Sequence, residues 1–136
     1  MQKVKFTISV PPRTKKNHTQ FVFNRKTKQW KIIPSKQYLE YERKSKKYIT
    51  DIVKLQCMAL DLPVNVKAVF YMDSRRKCDL VNLEQALCDL LVKHGALPDD
   101  NFKVIASMDG SKVRYDKEHP RTEITITSIG EINEQR

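Results

Sequence analysis

The sequence predicts an α+β fold, with two helices packed on one mixed β-sheet. Three observations carry that prediction. Lys3–Val10, Val64–Tyr71 and Thr122–Ile129 alternate apolar and polar residues, as strands with one buried face do. Lys36–Met58 and Asp79–Gly95 instead repeat apolar residues at three- and four-residue spacing, the pattern of amphipathic helices. Pro and Gly-containing turns separate these runs in the order strand, hairpin, helix, strand, helix, hairpin, strand. At 136 residues the length prior gives a single domain, 1–129, followed by a polar tail at 130–136.

In the first strand Val4, Phe6, Ile8 and Val10 point one way, and Lys3, Lys5, Thr7 and Ser9 the other. Pro11-Pro12 ends it, because proline donates no ladder hydrogen bond. Arg13-Thr14-Lys15-Lys16-Asn17-His18 is a basic loop without an apolar anchor. Gln20–Asn24 and Gln29–Ile33 flank Arg25-Lys26-Thr27-Lys28, which predicts a hairpin with a basic tip. Trp30, the only tryptophan, is expected to cover the core face of that hairpin; stacking on a base of opened DNA is the alternative. Ser35 is placed to N-cap the long helix, whose apolar stripe is Tyr38, Tyr41, Ile49, Ile52, Val53 and Leu55. Arg43, Lys44, Lys46, Lys47 and Lys54 load its remaining surface with positive charge, either as a solvated face or as a phosphate contact.

Pro63 precedes the strand Val64–Tyr71, which becomes apolar on both faces towards its end, as a central strand does. It leads through Met72-Asp73-Ser74 into three consecutive bases, Arg75, Arg76 and Lys77. Asp79 stands at the N-cap of the second helix, Leu80, Leu83, Leu87, Leu90 and Leu91 form its stripe, and Gly95 stands at C′. Lys103–Met108 reads as a strand, and Val113–Tyr115 as its returning partner. Asp109-Gly110 between them supplies the positive φ of a tight hairpin turn.

The composition excludes several classes. Lys and Arg total 26 against 16 Asp and Glu, a net charge of +10, which favours polyanions: nucleic acid first, then a ribosome-like surface, then an anionic membrane. There is no run of 18 apolar residues to span a membrane and no apolar signal segment at the N-terminus, so a cytoplasmic protein is expected. Cys57, Cys78 and Cys88 lack CxxC spacing and a paired-histidine partner, which argues against zinc and against a disulfide framework. His94 falls in the last turn of its helix, where a cation suits the dipole.

One constellation carries chemistry. An acid at a helix start (Asp79), a short helix and an acidic pair before the next strand (Asp99, Asp100) can bring carboxylates together in space. Hard cations such as Mg²⁺ take carboxylate oxygens, waters and phosphate oxygens, and neighbouring bases hold the phosphate. The competing reading is structural: Asp79 caps, Asp99 and Asp100 turn the chain, and the bases are solvated.

The segment Arg75-Arg76-Lys77-Cys78, Asp79-Leu80-Val81-Asn82-Leu83, helix, Gly95 and Asp99-Asp100 resembles the central motif of the RusA family of Holliday junction resolvases. There a basic run leads into Asp-x-Asp-Asn-Leu, a helix, a Gly and an Asp-Asp pair. The start Ile8-Ser9-Val10-Pro11-Pro12 through Asn17 fits the family's strand, Pro-Pro turn and polar loop, and the resemblance extends from Ile8 to about Ile126. It implies a RusA-like fold and a homodimer of prophage type that cuts four-way DNA junctions with Mg²⁺, Mn²⁺ being an alternative. Asp79 and Asp100 would be catalytic and metal-binding, with Asp99 assisting. Lys15, Lys16, Asn17, Arg75, Arg76 and Lys77 would contact DNA, and Asn82 would orient Asp79 or its loop.

The sequence departs from the family at Val81, where the second acid belongs, and at Gln85, where a lysine is common. A second reading follows, a protein that binds branched DNA with weak or lost cleavage. A third, from another class, is a basic RNA- or ribosome-binding module whose acids are structural. If Val81 is packed, Asp73 or Glu84 is the replacement ligand to test, with Asp73 preferred because the spacing from Asn82 puts Glu84 on a different helical face.

Overall fold

A computed structural model describes residues 2–15, 19–56 and 60–130. Lys16, Asn17, His18, Cys57 and the tail beyond Gly130 lie outside the described residues. The elements are β1 (Lys3–Ile8), β2 (Gln20–Asn24), β3 (Gln29–Ile33), α1 (Lys36–Gln56), β4 (Val64–Met72), α2 (Leu80–Lys93), β5 (Ile105–Ser107), β6 (Lys112–Tyr115) and β7 (Arg121–Ser128). The architecture is the α+β arrangement that the periodicities predict. Among the described residues, no helix is long and apolar enough to cross a membrane.

The main sheet runs β1-β7-β4, with both β5 and β6 on the far edge of β4. β7 pairs antiparallel with β1 and β4, whereas β5 and β6 run parallel to β4. Alternation decides which face is covered. Val64, Val66, Ala68 and Phe70 of β4 and Ile124 and Ile126 of β7 are buried, joined by Ile8. Lys3, Lys5 and Lys67 point to the other, wetter face. The buried face receives Tyr38, Tyr41 and Ile49 from α1 and Leu83, Ala86, Leu87, Leu90 and Leu91 from α2, in one continuous core.

Helix ends follow their sequence signals. The Tyr38 N–H donates to Ser35 Oγ at 3.1 Å, the capping bond expected of Ser35. At the end of α2, Ala96 N–H donates to Leu91 O (2.8 Å) and Gly95 N–H to Val92 O (3.2 Å), with Gly95 at φ 87°. That is a Schellman stop, and only glycine reaches that φ without strain. His94 is the C-cap residue and its Nε2 lies 3.3 Å from the Glu42 carbonyl oxygen, a packing role. Leu55, expected in the α1 stripe, is exposed a turn past Ile52, the last residue of the stripe to be buried.

Two local expectations are corrected. Asp109-Gly110 makes no hairpin: β5 and β6 follow each other along the same edge of β4, pointing the same way. Side chains bridge the gap in the ladder. Asn65 Oδ1 accepts from Ser107 Oγ (2.6 Å) and Asp109 N–H (2.7 Å), and Ser111 Oγ accepts from Ala68 N–H (3.0 Å). Gly110 has the anticipated positive φ of 87° but uses it to bulge out and rejoin the same edge. The second correction concerns Trp30. β2 and β3 pair antiparallel with the basic tip at 25–28, but they form a sheet of their own, and Trp30 is 69% exposed. The hairpin contributes no residue to the core, so there is no core face to cover.

Candidate functional site

Asp79 holds the N-cap position of α2 in an extended conformation (φ −89°, ψ 128°), yet its carboxylate makes no capping bond. Only its carbonyl joins the helix, accepting from Leu83 N–H at 3.2 Å. The side-chain Oδ2 instead accepts from Asn82 Nδ2 at 3.3 Å. An N-cap aspartate that forgoes its cap gives up about 1 kcal/mol of local stabilisation. The structural reading of Asp79 therefore lacks its bond, and the carboxylate stands exposed beside the basic run.

The acidic pair divides its labour. Asp99 Oδ1 accepts from Asp100 N–H (2.7 Å) and Oδ2 from Asn101 Nδ2 (3.1 Å). Those two bonds, the backbone one first, hold the Asp99 carboxyl below its ordinary range. Asn101 continues the turn by accepting from Lys103 N–H on its side chain, and from Val104 and Ile105 N–H on its carbonyl. Both Asp99 oxygens are thus occupied in shaping the turn. Asp100 is exposed, and its side chain lies against the Asp99 carboxylate.

The surroundings of Cys88 locate Asp100. Burial pushes the Cys88 thiol up to about 12, and the negative charges of Asp100, Asp89 and Glu84 add to that shift in decreasing order. Asp100 and Glu84 are thus both near enough to Cys88 for their charge to act on its thiol. Positions 81, 84 and 88 follow one another at three and four residues, so Val81 shares this side of the helix. Val81 is 70% exposed and is not a packing residue. Burial raises the Glu84 carboxyl above its ordinary range, opposed by a hydrogen bond from Ser111. Asp73, preferred on sequence as a substitute ligand, is committed elsewhere: Arg13 Nη1 and Nη2 donate to its Oδ1 and Oδ2 at 2.9 and 2.8 Å.

That Arg13–Asp73 fork is the feature sequence reading missed. It ties the loop after β1 to the end of β4, and Arg13 also donates to the Pro12 carbonyl (3.0 Å). Lys15, expected on DNA, pairs with Asp89 of α2 at 3.0 Å and lies 5.8 Å from the Tyr38 ring centroid. Arg75 stacks over the Tyr115 ring at 4.1 Å, whereas Arg76 and Lys77 line an open cleft of about 330 Å³ with Pro12, Arg13, Thr14 and Asp73. The structure thus gathers the first loop and the basic run beside the head of α2.

The fork makes a pH-dependent prediction. The hydrogen bond from Arg13 is the main reason the Asp73 carboxyl lies below its ordinary range. A depressed carboxylate stabilises the fold above its unfolded pKa, and the contribution disappears as pH falls through the folded value. Arg13→Ala should cost about 1 kcal/mol at neutral pH in urea unfolding, and the difference from the native chain should shrink as pH falls below the ordinary carboxylate range. A penalty that does not change with pH would assign Arg13 to packing alone.

Mg²⁺ is commonly held through one or two protein carboxylates with waters and phosphate filling its shell. The exposed carboxylates of Asp79 and Asp100 suit that chemistry, and Glu84 adds a third oxygen donor residue on α2. Among the described residues, no group of three or more His, Cys, Asp and Glu side chains is close enough together to form a preassembled cage. A family model described as endodeoxyribonuclease RusA matches residues 6–127 of the chain. No curated protein matches it.

Proposed function

The chain belongs to the RusA endodeoxyribonuclease family, and we propose that it resolves four-way DNA junctions by Mg²⁺-dependent hydrolysis of paired phosphodiester bonds. The observation that carries this reading is the uncapped, Asn82-held carboxylate of Asp79, exposed two residues after Lys77 of the basic cleft. In a merely structural N-cap that carboxylate would bond to the first turn.

Asp79 and Asp100 would hold the metal, and Mg²⁺, when bound, supplies charge stabilisation and an activated water. Arg76 and Lys77 bind the DNA backbone at the cleft, with Arg75 braced on Tyr115 beside them. Lys15 adds positive charge where its loop crosses α2, and Lys16 and Asn17 remain DNA-contact candidates on their residue types alone. Asp99 keeps the turn in shape so that Asp100 is presented. Asn82 fixes the rotamer of Asp79, and the Arg13–Asp73 fork fixes the loop.

The test is a labelled four-way junction incubated with the protein in the presence of Mg²⁺ or Mn²⁺ and in chelator. Paired nicks at symmetric positions only with metal are expected. Nicks on linear duplex at an equal rate would remove the junction-specific part of the proposal. Symmetric nicking needs two sites related by a two-fold axis, which a homodimer supplies. Light scattering should therefore give about twice the chain mass of 16.0 kDa at micromolar protein, and a mass of one chain would exclude the dimer.

A second reading has one specific observation behind it. Val81 is exposed beside the acids, so a ligand position is filled by a side chain that neither packs nor coordinates. Weak cleavage with intact junction binding is the expected signature. Under the RNA- or ribosome-binding alternative, Mg²⁺-dependent nicking would be absent.

A further inference from the structure

The β2–β3 hairpin exposes an apolar face that contributes nothing to the core among the described residues. Register places Phe21 opposite Ile32 and Phe23 opposite Trp30, so these four side chains share one face. Phe23 and Trp30 meet edge to face at 5.2 Å, and all four residues are exposed. Around them every charged residue from 20 to 33 is basic: Arg25, Lys26, Lys28 and Lys31. The tip is built rather than loose. Asn24 Oδ1 accepts from Lys26 N–H (2.9 Å) and Thr27 N–H (3.3 Å), Lys28 N–H donates to Asn24 O (2.7 Å), and Lys28 sits at φ 56°.

We infer that this hairpin is a base-stacking element for unpaired nucleotides of DNA, with Trp30 and Phe23 as the platform and the basic tip holding the flanking phosphates. The inference rests on the reading of the protein as a junction nuclease, which supplies DNA with unpaired or unstacked bases at its branch point. Charge decides between occupants. A second copy laid on this face would bring two acid-free basic hairpins together, and like charges in close apposition oppose association. The four side chains also expose roughly 500 Å², below the roughly 800 Å² per partner of a standard interface. A nucleic acid strand offers what the hairpin lacks, negative charge along an edge and flat π-faces that stack on aromatics without sequence preference.

Trp30 is the only tryptophan, so its emission reports on this face alone. The full chain is titrated in chelator with three fluorescein-labelled DNAs: an oligothymidine strand, a four-way junction and a blunt duplex of equal length. Binding is followed by anisotropy and, with unlabelled DNA, by tryptophan emission. The strand and the junction should quench Trp30, and the duplex should quench it much less. Trp30→Ala should weaken strand and junction binding by about 5- to 100-fold, the range for loss of one stacked base, while duplex binding changes by less than about threefold. Trp30→Phe should restore most of the affinity, because the ring face is kept. Saturating binding by anisotropy with unchanged Trp30 emission, or equal losses on all three DNAs, overturns the stacking role and leaves the nuclease reading intact. Failure of every DNA to bind removes both. A DNA-free emission shift that rises with protein concentration, accompanied by a doubled mass that Trp30→Ala abolishes, assigns the face to a second copy instead.

Discussion

Asp79→Asn and Asp100→Asn should each lower the rate of metal-dependent junction cleavage by about a hundredfold or more, while junction affinity measured in chelator should stay within about threefold. The amide keeps the shape of the carboxylate and removes the charge that a hard cation requires. Stability should hardly move in either variant. Asp79 contributes no side-chain capping bond, and Asp100 is exposed. Asp99→Asn is the informative contrast. Both Asp99 oxygens already accept hydrogen bonds inside the turn, and asparagine offers only one acceptor, so that variant should lose turn stability and only part of its cleavage. If all three variants lost cleavage equally and unfolded at lower urea, the acids would be structural and the metal site would be withdrawn. If Asp79→Asn cleaved normally, Asp79 would return to being an idle N-cap residue.

What can be read from the chain is set by how local each cause is. The alternation of β1, β4 and β7 and the Leu stripe of α2 are repeats within a few residues, and the elements appear where those repeats lie. Ser35 and Gly95 are punctuation that acts on the next turn of chain, and both perform the roles their types predict. The direction of β6 is different. Asp-Gly specifies a positive φ at Gly110, but whether the chain reverses or rejoins the same edge depends on Asn65, more than forty residues earlier, which holds Ser107 and Asp109. The same distance problem hides the Arg13–Asp73 fork, since two residues sixty positions apart show no spacing signal. The expectation for Trp30 rests on amphipathicity, and alternation says which residues share a face without saying whether anything lies against it. At the candidate site, the acids are legible as residue types in a pattern. That Asp79 stays uncapped and that Asp99 is spent on the turn are local facts too, but they turn on side-chain rotamers, which residue type does not specify.

Val81→Asp is expected to raise metal-dependent cleavage by about tenfold or more and to lower the Mg²⁺ concentration needed for half-maximal rate by a similar factor. The site accepts the substitution. Val81 is 70% exposed, so no packing is lost. It is the second residue of α2, where an added carboxylate interacts favourably with the positive end of the helix dipole by about 0.5 kcal/mol. The new acid would sit two residues from Asp79, restoring the Asp-x-Asp spacing, and three residues before Glu84 on the same side of α2. Glu84→Gln resolves what the native chain does in the meantime. If Glu84 partly fills the missing ligand position, its loss should reduce native cleavage by about tenfold and should matter much less in the Val81→Asp background, a non-additivity that a double-mutant cycle measures directly. Asp73→Ala should leave the metal dependence unchanged, because its oxygens serve Arg13. Native cleavage that is already fast, falls on Val81→Asp and vanishes on Glu84→Gln would show the ligand wholly relocated to Glu84, with a further carboxylate at position 81 only adding repulsion. Equal cleavage in all three proteins would remove this face of α2 from the chemistry.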